Sequence, residues 1–240
     1  MRFFILKFIF VWLFLLLVKQ NVSLNKKIAM RKITKDELFY MSKVPRLNLV
    51  NCVTGYKSAN LIGTCSENGT LNVAIFSSVT HLGSEPPLLG FILRPTTVPR
   101  DTYNNIKETG FFTVNHITEE MISDAHHTSS SYDEHISEFD KTNLEPEFID
   151  NHKVPFVKGS PVQLLCKYVN EYKIEENDCI HIIASVETIY ADEKLFHDDN
   201  WMQLDRGNVI AINGLDGYAV PKLADRFHYA RPDKPSTSML

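Results

Sequence analysis

The stretch SANLIGTCSENGTLNVAIFSSVT, residues 58–80, decides the fold class of this chain. Ser58–Thr64 and Leu71–Val79 are rich in strand-forming residues, and Glu67-Asn68-Gly69 lies between them. Because Asn-Gly favours the positive φ angles of a type I′ turn, the two segments are predicted to pair as a β-hairpin. An antiparallel β fold is therefore the starting hypothesis.

Further strand and helix signals extend this pattern along the chain. Apolar segments bounded by Gly, Pro or polar turns predict more strands at residues 46–54, 88–93, 111–115, 162–170, 179–191 and 207–212. Capped polar segments predict helices at residues 34–43 and 101–109, and one or two short helices within residues 118–139. Many short strands with few helices favour a mainly β antiparallel barrel over a doubly wound α/β sheet.

The size and charge of the chain limit the classes of function. With 240 residues, of which 44% are apolar, the chain can form one sizeable core and a small appendage. The net charge is −4 and no basic block occurs, so no nucleic-acid partner is expected. The 4 cysteines lack C-x-x-C spacing, which indicates buried free thiols in a reducing compartment.

Residues 1–29 form a hydrophobic extension, and three explanations of it stay open. Residues 3–18 are almost wholly apolar and are interrupted only by Lys7. This run is shorter than the roughly 20 residues that span a bilayer, and it suits a signal peptide but lacks a clear cleavage site. Alternatively, translation begins at Met30. We expect residues 30–240 to form one cytoplasmic domain, whereas retention of the extension would imply membrane anchoring or export.

A candidate phosphate site lies in the segment from Arg94 to Thr102. It carries two arginines, Arg94 and Arg100, and three threonines at the start of the helix predicted at residues 101–109. The free N–H groups at a helix N-terminus, the helix dipole and charged hydrogen bonds from arginine all favour a bound phosphate. The alternative is an ordinary capped helix with solvated arginines.

A candidate surface for a planar ring is the strand Asn72–Thr80. The strand ends on small and hydroxylated residues, shortly before Pro86-Pro87. Small side chains allow a flat heterocycle to approach the backbone N–H and C=O groups and to form hydrogen bonds with them. The alternative is an ordinary serine-rich strand end.

Other templates for catalysis are missing from the sequence. It contains no G-x-G-x-x-G, no G-K-[ST] phosphate loop and no G-x-S-x-G elbow. His126, His127, Asp133 and His135 lack the i, i+4 spacing of a helical zinc site, so no metal site is predicted. No residue is assigned as catalytic.

Taken in chain order, these segments resemble the flavin reductase-like, FMN-binding split-barrel family. The resemblance is carried by residues 58–64, the turn at 68–69, and residues 72–87, 100–106, 110–115 and 137–140. In that family the fold is a six-stranded antiparallel Greek-key split barrel with added short helices, and the protein is usually a homodimer. The resemblance therefore implies this fold for residues 30–240, a bound FMN and a homodimer.

The resemblance also implies which residues bind the cofactor. The residues expected along the flavin ring and ribityl chain are Ala74, Ile75, Phe76, Ser77, Ser78, Val79 and Thr80, with Ser58 and Asn60 beside the ring. The residues expected at the phosphate are Arg100 and Thr102, with Arg94 and Thr97. Pro99 departs from the family pattern, in which many relatives carry a small polar residue directly before the arginine.

The implied reaction is hydride transfer from NADH or NADPH to FMN, followed by electron delivery to free flavin, a metal complex or a protein acceptor. In such an enzyme the cofactor carries the difficult chemistry and the protein supplies orientation, so no acid/base pair is required. The alternative is a non-catalytic, flavoredoxin-like electron carrier that keeps FMN bound and works with a protein partner. The enzyme would need only a small-molecule substrate and a second copy of the chain.

Overall fold

The computed structural model describes residues 29–133 and 136–240, and the chain divides into two compact units at residues 46 and 47. In the first unit, helix α1 (Lys35–Tyr40) begins at the predicted cap, Thr34. The side chains of Thr34 and Glu37 accept each other's backbone N–H, at 3.2 and 2.6 Å, which forms a capping box.

The apolar run at residues 3–18 lies outside the described residues. No helix of the described ranges has both the length and the apolar character needed to cross a membrane.

Helix α2 (Lys43–Cys52) takes the place of the strand predicted at residues 46–54, and that prediction was wrong. Val44, Leu47 and Val50 recur at every third position, which is close to the helical period and not to the alternation of a strand. Pro45 lies in the first turn, where its missing N–H removes no helical hydrogen bond.

The second unit is mainly β, as predicted. Its strands are β1 (Tyr56–Ser58), β2 (Asn60–Cys65), β3 (Leu71–Phe76), β4 (Thr80–Ser84), β5 (Pro87–Leu93), β6 (Phe111–His116), β7 (Pro146–Glu147), β8 (Phe156–Val157), β9 (Val162–Ile174), β10 (Cys179–Ala191), β11 (Ala211–Asn213) and β12 (Gly217–Ala219). Helices α3 (Asp101–Thr109) and α4 (Ile122–His127) lie between β5 and β7 along the chain. The prediction of an antiparallel fold with short peripheral helices is confirmed.

The main sheet has seven antiparallel strands in the order β3-β2-β6-β9-β10-β5-β4. It has one strand more than the six expected, because the segment predicted to run to Val79 ends at Phe76 and β4 follows as a separate edge strand. Two smaller sheets, β1-β11-β12 and β7-β8, accompany it.

The connection between the two edge strands shows that this sheet is curled into a barrel. Strands β3 and β4 are the opposite edges of the sheet, yet only residues 77–79 join them. The Cα atoms of Phe76 and Thr80, at the ends of this connection, can be at most about 14 Å apart. In a flat sheet of seven strands the two edge strands would be about 29 Å apart. The ring centroids of Phe76 on β3 and Phe91 on β5 are 5.1 Å apart, and those of Phe91 and Phe112 on β6 are 5.6 Å apart. The three rings therefore meet inside the barrel.

The predicted β2–β3 hairpin is confirmed, but its turn is not of type I′. Gly69 has a φ of 89°, whereas Asn68 is not among the residues with positive φ. The N–H of Gly69 bonds to the carbonyl of Ser66 at 3.0 Å, and the N–H of Ser66 bonds to the carbonyl of Thr70 at 3.0 Å. In this longer loop only the glycine has to adopt the left-handed conformation.

The free edge of β3 is covered by the segment that follows β6. The N–H of Val73 bonds to the Glu138 carboxylate at 3.1 Å, and the N–H of Ile75 bonds to the Thr128 hydroxyl at 3.0 Å. Both acceptors are buried. The edge donors are thereby satisfied by side chains, which protects the strand from pairing with another chain.

Candidate functional site

The first turn of α3 offers backbone donors to an anion. The first helical hydrogen bond joins the N–H of Asn104 to the carbonyl of Arg100, at 2.9 Å. Arg100 is the N-cap residue, and its side chain makes no capping hydrogen bond. The amides of Thr102 and Tyr103 therefore have no acceptor within the helix, and the positive end of the helix dipole lies beside them.

The predicted phosphate residues Arg94, Thr97 and Arg100 lie together on the loop that leads into this turn. Arg94 and Thr97 are exposed, and Arg100 is half-buried. The Nε of Arg100 donates to the carbonyl of Pro95 at 3.4 Å, a long hydrogen bond that points the guanidinium along the loop. The loop thus places two permanent positive charges next to the helix N-terminus, which is an arrangement that fits a phosphate.

Thr102, the fourth predicted phosphate residue, is buried and has a structural contact. Its Oγ1 accepts a hydrogen bond from the Nδ2 of Asn72 on β3, at 3.1 Å. The Nδ2 groups of Asn72 and Asn105 both donate to the hydroxyl of Thr64, each at 3.1 Å. This buried network fastens α3 to the hairpin, so Thr102 orients the helix N-terminus. Its hydroxyl hydrogen can still be donated to a ligand.

The predicted ring residues are held in place by a chain of hydrogen bonds. The Ser78 hydroxyl both donates to the carbonyl of Ile92 and accepts from its N–H, at 3.2 and 3.0 Å. The Ser58 hydroxyl donates to the carbonyl of Val79, at 3.0 Å. The Nδ2 of Asn60 in turn donates to Ser58, at 3.0 Å. These contacts fix the turn at residues 77–79 and bring Ser58 and Asn60 to it.

The remaining predicted ring residues lie on both sides of that turn. Ala74 and Ile75 are half-buried on β3, and Phe76 packs into the barrel against Phe91. The described part of the chain gives the hydroxyls of Ser77 and Thr80 no hydrogen-bond partner. Small side chains and free hydroxyls here are compatible with a flat ring lying along the strand end. The cofactor contacts of these residues stay a prediction.

His116 is a neighbour of the predicted site that sequence analysis missed. It ends β6, where it pairs with Asn60 of β2. Its Nδ1 is buried and has no hydrogen-bond partner in the described part of the chain. Burial lowers the pKa of His116 to about 4, so the ring is neutral at physiological pH. The signal available in the sequence was a histidine at the end of a predicted strand of the barrel.

Glu138 is a second residue that was missed, although it lies in the 137–140 segment that carries the resemblance. Its carboxylate is buried and bonds to the N–H of Val73, one residue before the predicted ring-binding segment. Burial raises the pKa of Glu138, and the negative charge of Asp101 in the first turn of α3 raises it further. Glu138 therefore connects the edge of β3 electrostatically to the α3 N-terminus.

The histidines weighed as metal ligands have other contacts. The Nδ1 of His126 lies 2.9 Å from the hydroxyl of Tyr218, and the ring of His127 packs edge-on against Tyr132. His135 lies outside the described residues. Within the described ranges, no group of three or more His, Cys, Asp or Glu side chains is arranged to hold a metal ion.

The cysteines are free, as predicted, but Cys52 on α2 is exposed and Cys179 on β10 is only half-buried, so the prediction that all four are buried was wrong. Cys65 and Cys166 are buried, and burial raises the pKa of both thiols. A raised pKa disfavours the nucleophilic thiolate, so neither side chain is suited to covalent catalysis.

A separate polar cavity of about 540 Å³ lies where β9 begins and β10 ends. Its walls carry Lys194 and Arg206 but also Glu120 and Asp192, and Lys194 pairs with Asp192 at 2.7 Å. None of the predicted cofactor residues lines it. Its balanced charge does not favour an anion, so the phosphate hypothesis stays with the α3 N-terminus.

Comparison with known sequences gives a family for this chain. Residues 53–205 match the model of the flavin reductase like domain. An uncharacterized protein of Aquifex aeolicus is 31% identical over 139 residues, which are 56% of this chain and 71% of that protein. An uncharacterized protein of Bacillus subtilis is 28% identical over 176 residues, which are 71% of this chain and 85% of that protein.

Solved structures agree with this match. A candidate flavin reductase with a split barrel domain from Shewanella frigidimarina is 36% identical, with a TM-score of 0.81 over 84% of this chain and 100% of that chain. Component B of nitrilotriacetate monooxygenase from Bacillus cereus is 21% identical, with a TM-score of 0.71 over 84% of this chain and 99% of that chain. The flavoredoxin of Desulfovibrio vulgaris is 16% identical, with a TM-score of 0.61 over 88% and 98%. The last two similarities concern the fold alone.

Proposed function

Because the chain belongs to the family of flavin reductase like domains, we propose that it binds FMN and acts as an oxidoreductase supplied with hydride by NADH or NADPH. The reduced FMN formed in that step would pass electrons to free flavin or to another acceptor. The small-molecule substrates of the proposal are therefore a reduced nicotinamide and an electron acceptor.

The observation that carries the proposal is the N-terminus of α3. The amides of Thr102 and Tyr103 have no helical acceptor, Arg100 gives no side-chain cap, and Arg94 lies on the same short loop. A phosphate would satisfy these amides, the helix dipole and the two arginines together. Riboflavin lacks this phosphate, so the site would distinguish FMN from riboflavin.

Different residues of the chain would position the ring and the phosphate of the cofactor. Bound FMN would accept the hydride from the nicotinamide and pass the electrons on, and the chain's own residues would bind and orient it. The turn at residues 77–79, held by Ser58 and Ser78, would position the ring. Thr102 would keep the α3 N-terminus in place through Asn72. Orientation of this kind requires no acid/base pair.

We further propose that the working form is a homodimer. Phe227 and Tyr229 in the C-terminal tail are 55% and 92% exposed, and burial of these rings against a second copy would remove apolar surface from water. Closed two-fold symmetry is the commonest form of such assemblies. Light scattering at micromolar concentration tests this, and a monomer that still binds FMN tightly would contradict it.

The test of function uses protein that begins at Met30. Titration with FMN should give about one equivalent per chain, and the loaded protein should oxidise NADH or NADPH rapidly in the presence of excess free flavin. Colourless protein that FMN cannot restore would refute the binding proposal. FMN binding without nicotinamide oxidation would leave binding intact and favour the flavoredoxin-like carrier.

A further inference from the structure

The imidazole of His116 lies on the inner face of the barrel, at the end where the predicted ring residues meet. Phe112 and Val114 belong to the cluster inside the barrel, and side chains alternate along β6, so His116 is on the same face. In register, His116 pairs with Asn60 and Asn60 pairs with Phe76. Neighbouring strands are about 4.8 Å apart, which places His116 roughly 10 Å from β3.

Asn60 links His116 to the turn that would hold the flavin ring. Paired residues of antiparallel strands have side chains on one face and in contact range. Asn60 itself is bonded to Ser58, and Ser58 is bonded to the carbonyl of Val79. His116 is therefore the next polar side chain beside the three residues that the family resemblance places at the ring.

The imidazole of His116 has one N–H group that is available to donate a hydrogen bond. No described residue bonds to either ring nitrogen, and only Nδ1 is a buried atom, so Nε2 is on the accessible side. A buried N–H without an acceptor is rarer in proteins than a buried acceptor without a donor. The favoured tautomer therefore has Nδ1 unprotonated and carries its hydrogen on Nε2.

We propose that His116 is a neutral hydrogen-bond donor, through Nε2–H, to an oxygen or ring nitrogen on the polar edge of the bound flavin. This role rests on the proposed function. A neutral donor suits a ring that gains negative charge on reduction, because the hydrogen bond strengthens as that charge develops. His116 would thus bind the ring and also make the flavin easier to reduce.

The test compares variants of His116 for binding and for redox potential. His116→Phe keeps the volume and removes the donor, whereas His116→Gln places an amide N–H near the position of Nε2. His127→Phe, which changes an exposed histidine on α4, is the matched control. The measurements are the dissociation constants of FMN and riboflavin, the absorption spectrum of the bound flavin and its midpoint potential.

The expected result is that His116→Phe weakens FMN and riboflavin by the same factor, about fivefold, since one hydrogen bond to the shared ring is lost. Its midpoint potential should be lower than that of the wild type. His116→Gln should recover both properties, and His127→Phe should change neither. If the phenylalanine variant does not fold, His116→Met takes its place.

Three results would overturn the proposal in different ways. Wild-type protein that binds neither flavin would overturn the proposed function together with this role. Wild-type protein that binds both flavins, with a His116→Phe variant of equal affinity and potential, would overturn the role alone. Failure of His116→Gln to recover either property would likewise show that the ring of His116 acts by packing.

Discussion

Replacement of Arg100 by alanine should weaken FMN selectively. Arg100 stands directly before α3 and is half-buried, and only its Nε is engaged, in the 3.4 Å bond to Pro95. The other N–H groups of the guanidinium have no hydrogen-bond partner within the described residues. They are therefore available to a phosphate oxygen at the first turn of α3.

The size of the effect follows from the exposure of the side chain. A hydrogen bond to a charged group contributes about 1.5–3 kcal/mol. Because Arg100 is partly solvated, water screens the interaction and the lower end of this range applies. A loss of about 1.5 kcal/mol raises the dissociation constant of FMN roughly tenfold. Riboflavin has no phosphate, and its dissociation constant should remain unchanged.

The assay is titration of flavin fluorescence with FMN and with riboflavin, at low and at high salt. Arg206→Ala, which removes an exposed arginine outside the loop before α3, serves as the control. The selective loss in Arg100→Ala should shrink as salt rises, since ions screen the attraction. Equal loss for both flavins would show that Arg100 supports the pocket and not the phosphate. If neither flavin is weakened, Arg94 and Thr97 become the better assignment.

Three further outcomes are expected. Ser78→Ala removes both hydrogen bonds to Ile92, so FMN and riboflavin should weaken equally in the same titration. Thr102→Val removes one hydrogen-bond acceptor of Asn72 and should lower the free energy of unfolding, measured by urea denaturation, by about 1 kcal/mol. Thr102→Ser keeps the hydroxyl and should leave this free energy unchanged. His116 has a pKa of about 4 when folded and 6.5 as its ordinary value, so the unfolded state binds the proton first as pH falls. The contribution of His116 to the free energy of unfolding should therefore fall by about 2 kcal/mol between pH 7 and pH 5, measured as the difference between the wild type and His116→Gln at the two pH values.

Local sequence signals predicted those elements whose causes are themselves local. Thr34 and Glu37 form the expected capping box, and Gly110 ends α3 with a φ of 75°. The hairpin at residues 60–76 forms because apolar strands flank a glycine-containing turn. The prediction of a strand at residues 46–54 was wrong. A run of Val and Leu is compatible with a helix or a strand, and only the spacing of its apolar residues distinguishes the two.

The candidate site was predicted as two separate segments, and the sequence alone did not show how the two segments lie relative to each other in the fold. The loop before α3 and the strand end at residues 74–80 were identified by their charges and small side chains. The contact between the Thr102 hydroxyl and Asn72 was not predicted, because it joins residues that are 30 positions apart along the chain. Glu138 was missed because its partner, the N–H of Val73, lies 65 residues away along the chain.

Local sequence signals were enough to give the fold class, the family and the position of α3, at whose N-terminus the phosphate site is predicted, because turns, caps and charged loops act over a few residues. Only the tertiary structure decided that the sheet closes, that Phe76 and Phe91 meet, and that His116 is a neutral neighbour of Asn60. These features depend on strand order and burial. Burial sets the pKa of His116, and strand register sets its neighbours, and neither quantity exists until segments far apart in sequence have packed together.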